Sequence, residues 1–371
     1  MNITYRFFDT NSESDIYQWL DLHSVCFQYE ITRDLCDHIH MADPFYNKTR
    51  PLIIVAETDK KIIGSVSLIP SPIQEYRNNS LNLYHSLLVC KAMVHPHYQK
   101  KGIFCSLLKK AIESAESEGY DKLVTFSNNP YSFQSFQRIG FNDIAAMRWS
   151  KMYLSIDTIV SKHVDTIPLP KIVKKNIVWL FSRFYSLLTP LVKHSYQLQK
   201  GNISEFIEQI TEFTNSPNSN RGIFGIRTNN FIQWRFFRDD ACFKCLILTD
   251  NRRMLGYLIL QYKDGDKDAF IVDMCLVNND KFLISILMSE TRQYLKENKF
   301  QKLWVYIVEN DSNLSNFFSL RNGFLIRSSK AGKLNKSRFL MYALNKKLAD
   351  PSFSDKKNWN IQSCDTCWFL G

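Results

Sequence analysis

The stretch that most constrains this chain runs from Met93 to Phe104, Met-Val-His-Pro-His-Tyr-Gln-Lys-Lys-Gly-Ile-Phe, and reads as a strand handing over to a helix through a basic turn. Leu87, Leu88, Val89 and Cys90 lead into Met93 and Val94 as an apolar run, and Pro96, which has no N–H for a ladder, closes it. Beyond the turn, Ile103, Phe104, Leu107, Leu108, Ala111, Ile112 and Ala115 share one helical face, and Gly119 stands where a C-cap belongs. A helix start leaves backbone N–H groups unpaired at the positive end of the macrodipole. Gln99, Lys100 and Lys101 add donors and charge there, and Gly102 has no Cβ to hold a ligand off the backbone. The turn is a cradle in prospect for a phosphate or pyrophosphate.

The run from Val94 to Phe104 resembles the acyl-CoA pyrophosphate signature of the GNAT superfamily of acetyl-CoA-dependent N-acyltransferases: Gln or Arg, two variable residues, Gly, one variable residue, then Gly or Ala. Gln99 and Gly102 fit that signature, while Phe104 departs at its last position. A second marker follows in order. Leu123 to Ser127 reads as a strand, Asn128-Asn129-Pro130 as the start of a helix carrying Phe133, Phe136, Gln137 and Ile139, and Gly140-Phe141 as its end. The family has an Asn and a Gly-Phe at these places, matched here by Asn129, Gly140 and Phe141.

The resemblance implies acetyl-CoA as cosubstrate and no metal. It implies that the pantetheine arm pairs with Met93 and Val94, and that the pyrophosphate lies on Gln99, Lys100, Lys101, Gly102, Ile103 and Phe104, with Asn129 alongside. The family's proton donor is commonly a Tyr four residues before the Gly of Gly-Phe, and Phe136 stands there and cannot donate. Tyr131 is the nearest replacement in sequence, and a packing role for its ring stays open beside the catalytic one. The base stays open among His85, His95, Glu57 and a water relay.

A chain of 371 residues exceeds the ~100 to 200 of one usual domain, so two are expected. Ile3 to Phe8 alternates as a strand, Ser14 to Phe27 and Asp34 to His40 read as helices, and Leu52 to Ala56 with Ile62 to Leu68 reads as a hairpin. Leu81 to Val94 reads as the fourth strand. After Arg221 the pattern restarts: a meander over Phe243 to Thr249, Leu255 to Tyr262 and Ala269 to Val277, a helix over Phe282 to Leu295, a strand over Leu303 to Val308, and Gly323-Phe324 echoing Gly140-Phe141. The second cradle is missing, because Asn278, Asn279, Asp280 and Lys281 offer no Gly and add a negative charge. The expected fold is α/β with a mixed α+β sheet: two GNAT-like units in tandem, the second degenerate, joined by a helical connector. The boundaries read as a GNAT acetyltransferase domain over 1–155, a basic helical connector over 156–220, a divergent GNAT-like domain over 221–345 and a tail over 346–371. Phe231, Trp234 and Arg235, and Trp359 with Asp365, add weaker echoes of such doubled chains.

The net charge of +11 suits an acidic partner such as CoA, and equally a solvated basic surface. No basic stripe interleaved with aromatics outside the connector points to nucleic acid. In the connector, Lys171, Lys174, Lys175, Arg183 and Lys193 alternate with Val173, Ile177, Trp179, Leu180, Phe184 and Leu187. Such a helix either buries its stripe between domains, the preferred reading, or lies on an anionic membrane. Nine scattered cysteines read as reduced thiols, and the pairs Cys242/Cys245 and Cys364/Cys367 as ordinary thiols rather than a zinc site. Without a signal-like start or a spanning stretch, the chain is expected in the cytoplasm. Doubled chains of this kind resemble GNAT proteins of surface-polysaccharide assembly, which implies a small amine acceptor such as an amino sugar. The alternative is a GNAT-fold binding protein without activity.

Overall fold

A computed structural model describes residues 2–40, 42–45, 52–77, 80–154, 160, 164, 166–188, 195–216, 219, 222–238, 241–251, 253–310, 312–319, 322–326, 337–345 and 351–366. In chain order the elements begin β1 (Thr4–Phe7), α1 (Glu13–Phe27), α2 (Arg33–His40), β2 (Leu52–Thr58), β3 (Lys61–Pro70), β4 (Ile73–Arg77), β5 (Ser80–Tyr84) and β6 (Ser86–Val94). Then come α3 (Ile103–Ser117), β7 (Lys122–Ser127), α4 (Pro130–Ile139), β8 (Asn142–Tyr153), α5 (Lys171–Leu188), β9 (Gln197–Asn202), α6 (Ile207–Thr214), β10 (Ile223–Gly225) and α7 (Asn229–Phe236). The chain continues through β11 (Cys242–Asp250), β12 (Arg253–Tyr262), β13 (Asp268–Leu276), α8 (Lys281–Glu297), β14 (Lys302–Val308), α9 (Asn313–Phe317), β15 (Phe324–Ile326) and β16 (Ser337–Ala343).

Two compact units result. The first holds residues 1–147, 222–234 and 329–371, and the second 148–221 and 235–328. These groupings differ from chain-order boundaries at 155 and 220: the segment with β10, the strand β16 and the tail belong with the first unit.

In the first unit the strands run β1-β2-β3-β6-β7-β16-β8. Only β6–β7 is parallel, and α3 makes the connection between them. Asp59 and Lys60, both in the left-handed region, make the β2–β3 turn. That is the geometry a two-residue hairpin needs. The expected strand over Leu81 to Val94 is divided: β5 pairs with β4 in a small sheet with β10, and β6 starts afresh at Ser86. The Asp121 side chain and backbone hold His85 at the break. One face of the main sheet packs Leu107, Leu108, Ala111 and Ala115 of α3, and the other packs Ile16, Trp19 and Leu22 of α1. Gly64 on β3 lets α3 approach, since a Cβ there would meet Leu107 Cδ1 at 3.1 Å and Ile103 Cγ2 at 3.3 Å.

The second unit repeats the plan. Its strands run β8-β14-β13-β12-β11-β9, with β15 on β8, and α8 packs on the meander. In each unit the meander carries a bulge, at Ser65/Ser67 opposite β6 and at Ile259/Leu260 opposite β13. The fold is two GNAT-like units in tandem. Among the described residues no helix is long and apolar enough to cross a membrane.

The apolar stripe of the connector departs from its expected burial: Val173, Trp179 and Leu180 on α5 are 38, 64 and 60% exposed. Lys193 lies outside the described residues. Phe231 and Trp234 pack in the first unit, with the Trp234 indole donating to His38 O at 2.9 Å and stacking on that imidazole. The tail is core rather than appendage. Trp359 is buried against Phe339 and Phe353, and the buried Arg227 guanidinium pairs with Asp365 at 2.7 Å.

Trp359→Ala should therefore lower stability by roughly 3–5 kcal/mol, as for other buried large-to-small changes. Urea unfolding followed by circular dichroism measures it; a variant as stable as the parent would mean that the tail does not support the first unit.

Candidate active site

The strand-to-helix turn is built as a cradle. Pro96–Tyr98 form one 3-10 turn, Lys100 and Gly102 take positive φ values of 63° and 79°, and α3 begins at Ile103. Gly102 caps the helix with no side-chain hydrogen bond, and the first helical bond runs from Ser106 N–H to Gly102 O at 3.1 Å. The N–H groups of Ile103, Phe104 and Cys105 are thereby left without a partner among the described residues. A Cβ built on Gly102 meets nothing within 4 Å, so the cradle is open. Unpaired donors, dipole and open space together fit an anionic group such as a pyrophosphate.

Beside the cradle the sheet parts. β6 pairs with β7 only from Ser86↔Lys122 to Val89↔Thr125, although β6 runs on to Val94 and β7 to Ser127. The bulge contributes: Ser65 faces Met93 and Ser67 faces Cys90, so Lys91 and Ala92 stand opposite Val66 alone. The second unit parts at the same place, its β13–β14 ladder ending at Ile271↔Val305.

A cleft of about 610 Å³ follows from this separation, lined by Ala92, Val94, Tyr98, Gln99, Lys100, Gly102, Ile103, Phe104, Cys105, Asn129, Tyr131, Ser132, Gln134, Ser135 and Arg138. The structure thus brings together Val94, Gln99, Lys100, Gly102, Ile103, Phe104, Asn129 and Tyr131. Met93 and Lys101 do not line it. The Met93 side chain is buried on the α1 face, and the Lys101 ammonium sits 5.1 Å from the Tyr98 ring centroid. Gln99 donates its side-chain amide to Val94 O at 3.1 Å, which ties the turn to the strand end. Asn129 caps α4, its Oδ1 accepting from Tyr131 N–H at 2.8 Å. Phe136 is core, edge-on to Phe104 and Phe141. Tyr131 is 76% exposed at the wall.

Sequence reasoning missed Arg138, Gln134 and Ser135. The signal was present: Tyr131, Gln134, Ser135 and Arg138 have i, i+3, i+4, i+7 spacing, the polar face of a helix whose apolar face is core. Of the candidate bases, Glu57 is held by Arg6 at 2.5 Å, and neither it nor His85 or His95 lines the cleft.

The α1 face of β6 carries a second group of polar side chains. The Lys91 ammonium donates to Tyr29 Oη at 3.3 Å and to His23 Nε2 at 3.4 Å, and His23 and His40 flank Trp19. Burial and, after it, the Lys91 charge push His23 down to about 4; the same causes, with His23 added, push His40 down to about 3. Both imidazoles are neutral at neutral pH.

In the second unit the turn is Val277–Asn279, and Asp280 caps α8, its carboxylate accepting from Phe282 N–H at 2.8 Å and Leu283 N–H at 3.0 Å. The protein's own anion occupies those donors. As for metals, Cys242 lies near Asp264, Cys364 takes a hydrogen bond from Arg227, and Cys367 is outside the described residues. Among the described residues no group of three or more His, Cys, Asp or Glu could hold a metal ion.

Residues 8–143 match the acetyltransferase (GNAT) domain family. Among solved structures, a GCN5-related N-acetyltransferase from Anabaena variabilis shares the fold at TM-score 0.59 and 11% identity, over 93% of this chain and 73% of that one. A probable N-acyltransferase from Enterococcus faecalis does so at 0.62 and 11%, over 93% and 73%. A tandem GNAT protein from the clavulanic acid biosynthesis pathway does so at 0.58 and 14%, over 93% and 99%. No curated protein matches the chain.

The two histidines make stability depend on pH with a definite sign. Between the ordinary value near 6.5 and about 4, the unfolded chain binds protons that folded His23 and His40 refuse, so stability is full above about 6.5 and falls as pH drops. At about pH 5 each histidine should account for a loss of about 2 kcal/mol. Urea unfolding of the parent and of His40→Phe at about pH 7 and 5 checks this: the variant should lose less on acidification, and equal losses would contradict the assignment.

Proposed function

We propose that the chain is a cytoplasmic acetyl-CoA-dependent N-acetyltransferase acting on a small amine. The observation that carries this reading is the free helix N-terminus of α3 opening onto the gap between β6 and β7, inside the segment that matches the GNAT domain. The backbone from Ile103 to Cys105 would hold the pyrophosphate, with Lys100 and Arg138 adding charge at the wall. The edge of β6 beyond Val89, where β7 gives no ladder partner, suits Met93 and Val94 to pairing with a pantetheine arm.

The bound thioester supplies an activated acetyl carbonyl. In the transfer, the amine nitrogen forms a bond to the acetyl carbon, the carbon–sulfur bond breaks, the nitrogen loses a proton and the departing thiolate gains one. Tyr131 is the donor to that thiolate in this reading. It lies on the cleft wall, 76% exposed, and its backbone carbonyl accepts from the Ser135 hydroxyl at 2.9 Å, one turn on. Phe136, at the family's usual position, is sealed in the core. The amine is taken to be an amino sugar, free or carried on a nucleotide or lipid, on the resemblance to doubled chains of surface-polysaccharide assembly.

Acetyl-CoA consumption against amino-sugar and peptide-amine panels tests the reading. Turnover on amino sugars is expected, with Tyr131→Phe lowering kcat by roughly 10²- to 10⁴-fold. Turnover on peptides alone would overturn the acceptor, an unchanged Tyr131→Phe rate would overturn the donor, and CoA binding without turnover would favour the inactive binding protein.

A further inference from the structure

Lys91 is an ammonium buried to 8% exposure with no carboxylate paired to it among the described residues. Its partners are the Tyr29 hydroxyl and the neutral His23 imidazole, and its Nζ lies 5.8 and 5.7 Å from the ring centroids of Phe27 and Tyr29. These groups solvate a cation without neutralising it, and an uncompensated buried charge destabilises a fold. Lys91 also holds φ at +43°, a left-handed conformation that costs a side-chain-bearing residue strain. Close by, the Nε2 of His40 is buried with no hydrogen-bond partner. Two unfavourable features and an orphaned polar atom converge on the bulge of β6, beside the gap where that strand leaves β7.

The ammonium lies near the surface. Phe27 and Tyr29 are 40 and 42% exposed, so the ammonium lies just beneath an aromatic rim that meets solvent. Neighbouring strand residues point to opposite faces. Ala92 and Val94 line the cleft on the α3 face, and Lys91 contacts α1 on the other.

Resting on the acetyl-transfer reading, we propose that the polar group around Lys91 binds a carboxylate carried by the amine acceptor, with Lys91 as its counter-ion and the Tyr29 hydroxyl as a second donor. One cation and one hydroxyl match the single charge of a carboxylate; a phosphate dianion would keep an unmatched charge in a buried place. The acceptor class narrows to amino acids and amino-sugar acids. Reaction at the gap with the carboxylate held across the strand also fixes the direction in which the amine enters.

The test compares matched amines in acetyl-CoA consumption by the full chain: butylamine, γ-aminobutyrate and its methyl ester, then glucosamine, its sugar acid and its phosphate ester. The carboxylates should be preferred in kcat/KM by roughly tenfold to a hundredfold, as expected for one charged hydrogen bond gained. Lys91→Gln should abolish that preference by raising KM with kcat little changed, while CoA affinity by calorimetry stays at the parent value. The ester comparison needs no variant, so it decides the matter even where Lys91→Gln does not fold. With CoA bound, a preference for plain or phosphorylated amines, no turnover of either carboxylate, or a Lys91→Gln protein with unchanged selectivity would overturn the carboxylate site alone. Absence of CoA binding would overturn the acetyl-transfer reading and this site with it.

Discussion

The constraint on which the site depends is a helix start that the protein leaves uncapped. A buried or half-buried helix end normally finds side-chain or backbone partners for its first N–H groups. At α3 the cap is Gly102, with no side chain to offer, and the N–H groups of Ile103, Phe104 and Cys105 face an open cleft. The core holds that end in place. Ile103 and Leu107 press on Gly64 of β3, where any Cβ would crowd them, and Gln99 ties the preceding turn to the last carbonyl of β6. The unsatisfied end is thus rigidly presented, which is the preorganisation an anion site requires.

The second unit shows the same architecture with the opposite chemistry. Its meander, its bulge and its early-ending parallel ladder repeat those of the first. At the corresponding helix start, however, Asp280 donates nothing and accepts from two N–H groups, which satisfies the end and fills it with negative charge. An anionic ligand would have to displace a covalently attached carboxylate. A single residue type at one N-cap therefore separates an open helix start from a closed one.

Much of this was legible in the sequence, because it depends on local rules. The Pro96 stop, the Gly102 turn and the apolar face of α3 are short-range signals, and so are the Asn129 cap and the Asp280 cap. The hairpin at Asp59-Lys60 and the meander of the second unit follow from alternation. What was illegible is long-range. Nothing local in Ser337–Ala343 says that it pairs with Lys122–Ser127, or that Ile223–Gly225 joins a hairpin at Ile73–Tyr84. Those pairings explain why the two compact units cut across chain order. The stripe on α5 shows a different failure, since helical spacing identifies an apolar face without naming what covers it. Lys91 escaped notice because a lysine in a strand reads as surface until a bulge turns it inward.

The central claim, that one helix start binds the cofactor's pyrophosphate and the other is closed by its own aspartate, is tested most directly by calorimetric titration of the full chain with CoA. The account predicts one site per chain. Gly102→Glu, which puts bulk and a negative charge into the open cradle, should weaken it by about tenfold or more while the protein stays folded. Two sites per chain, or unchanged affinity in a folded Gly102→Glu protein, would contradict it.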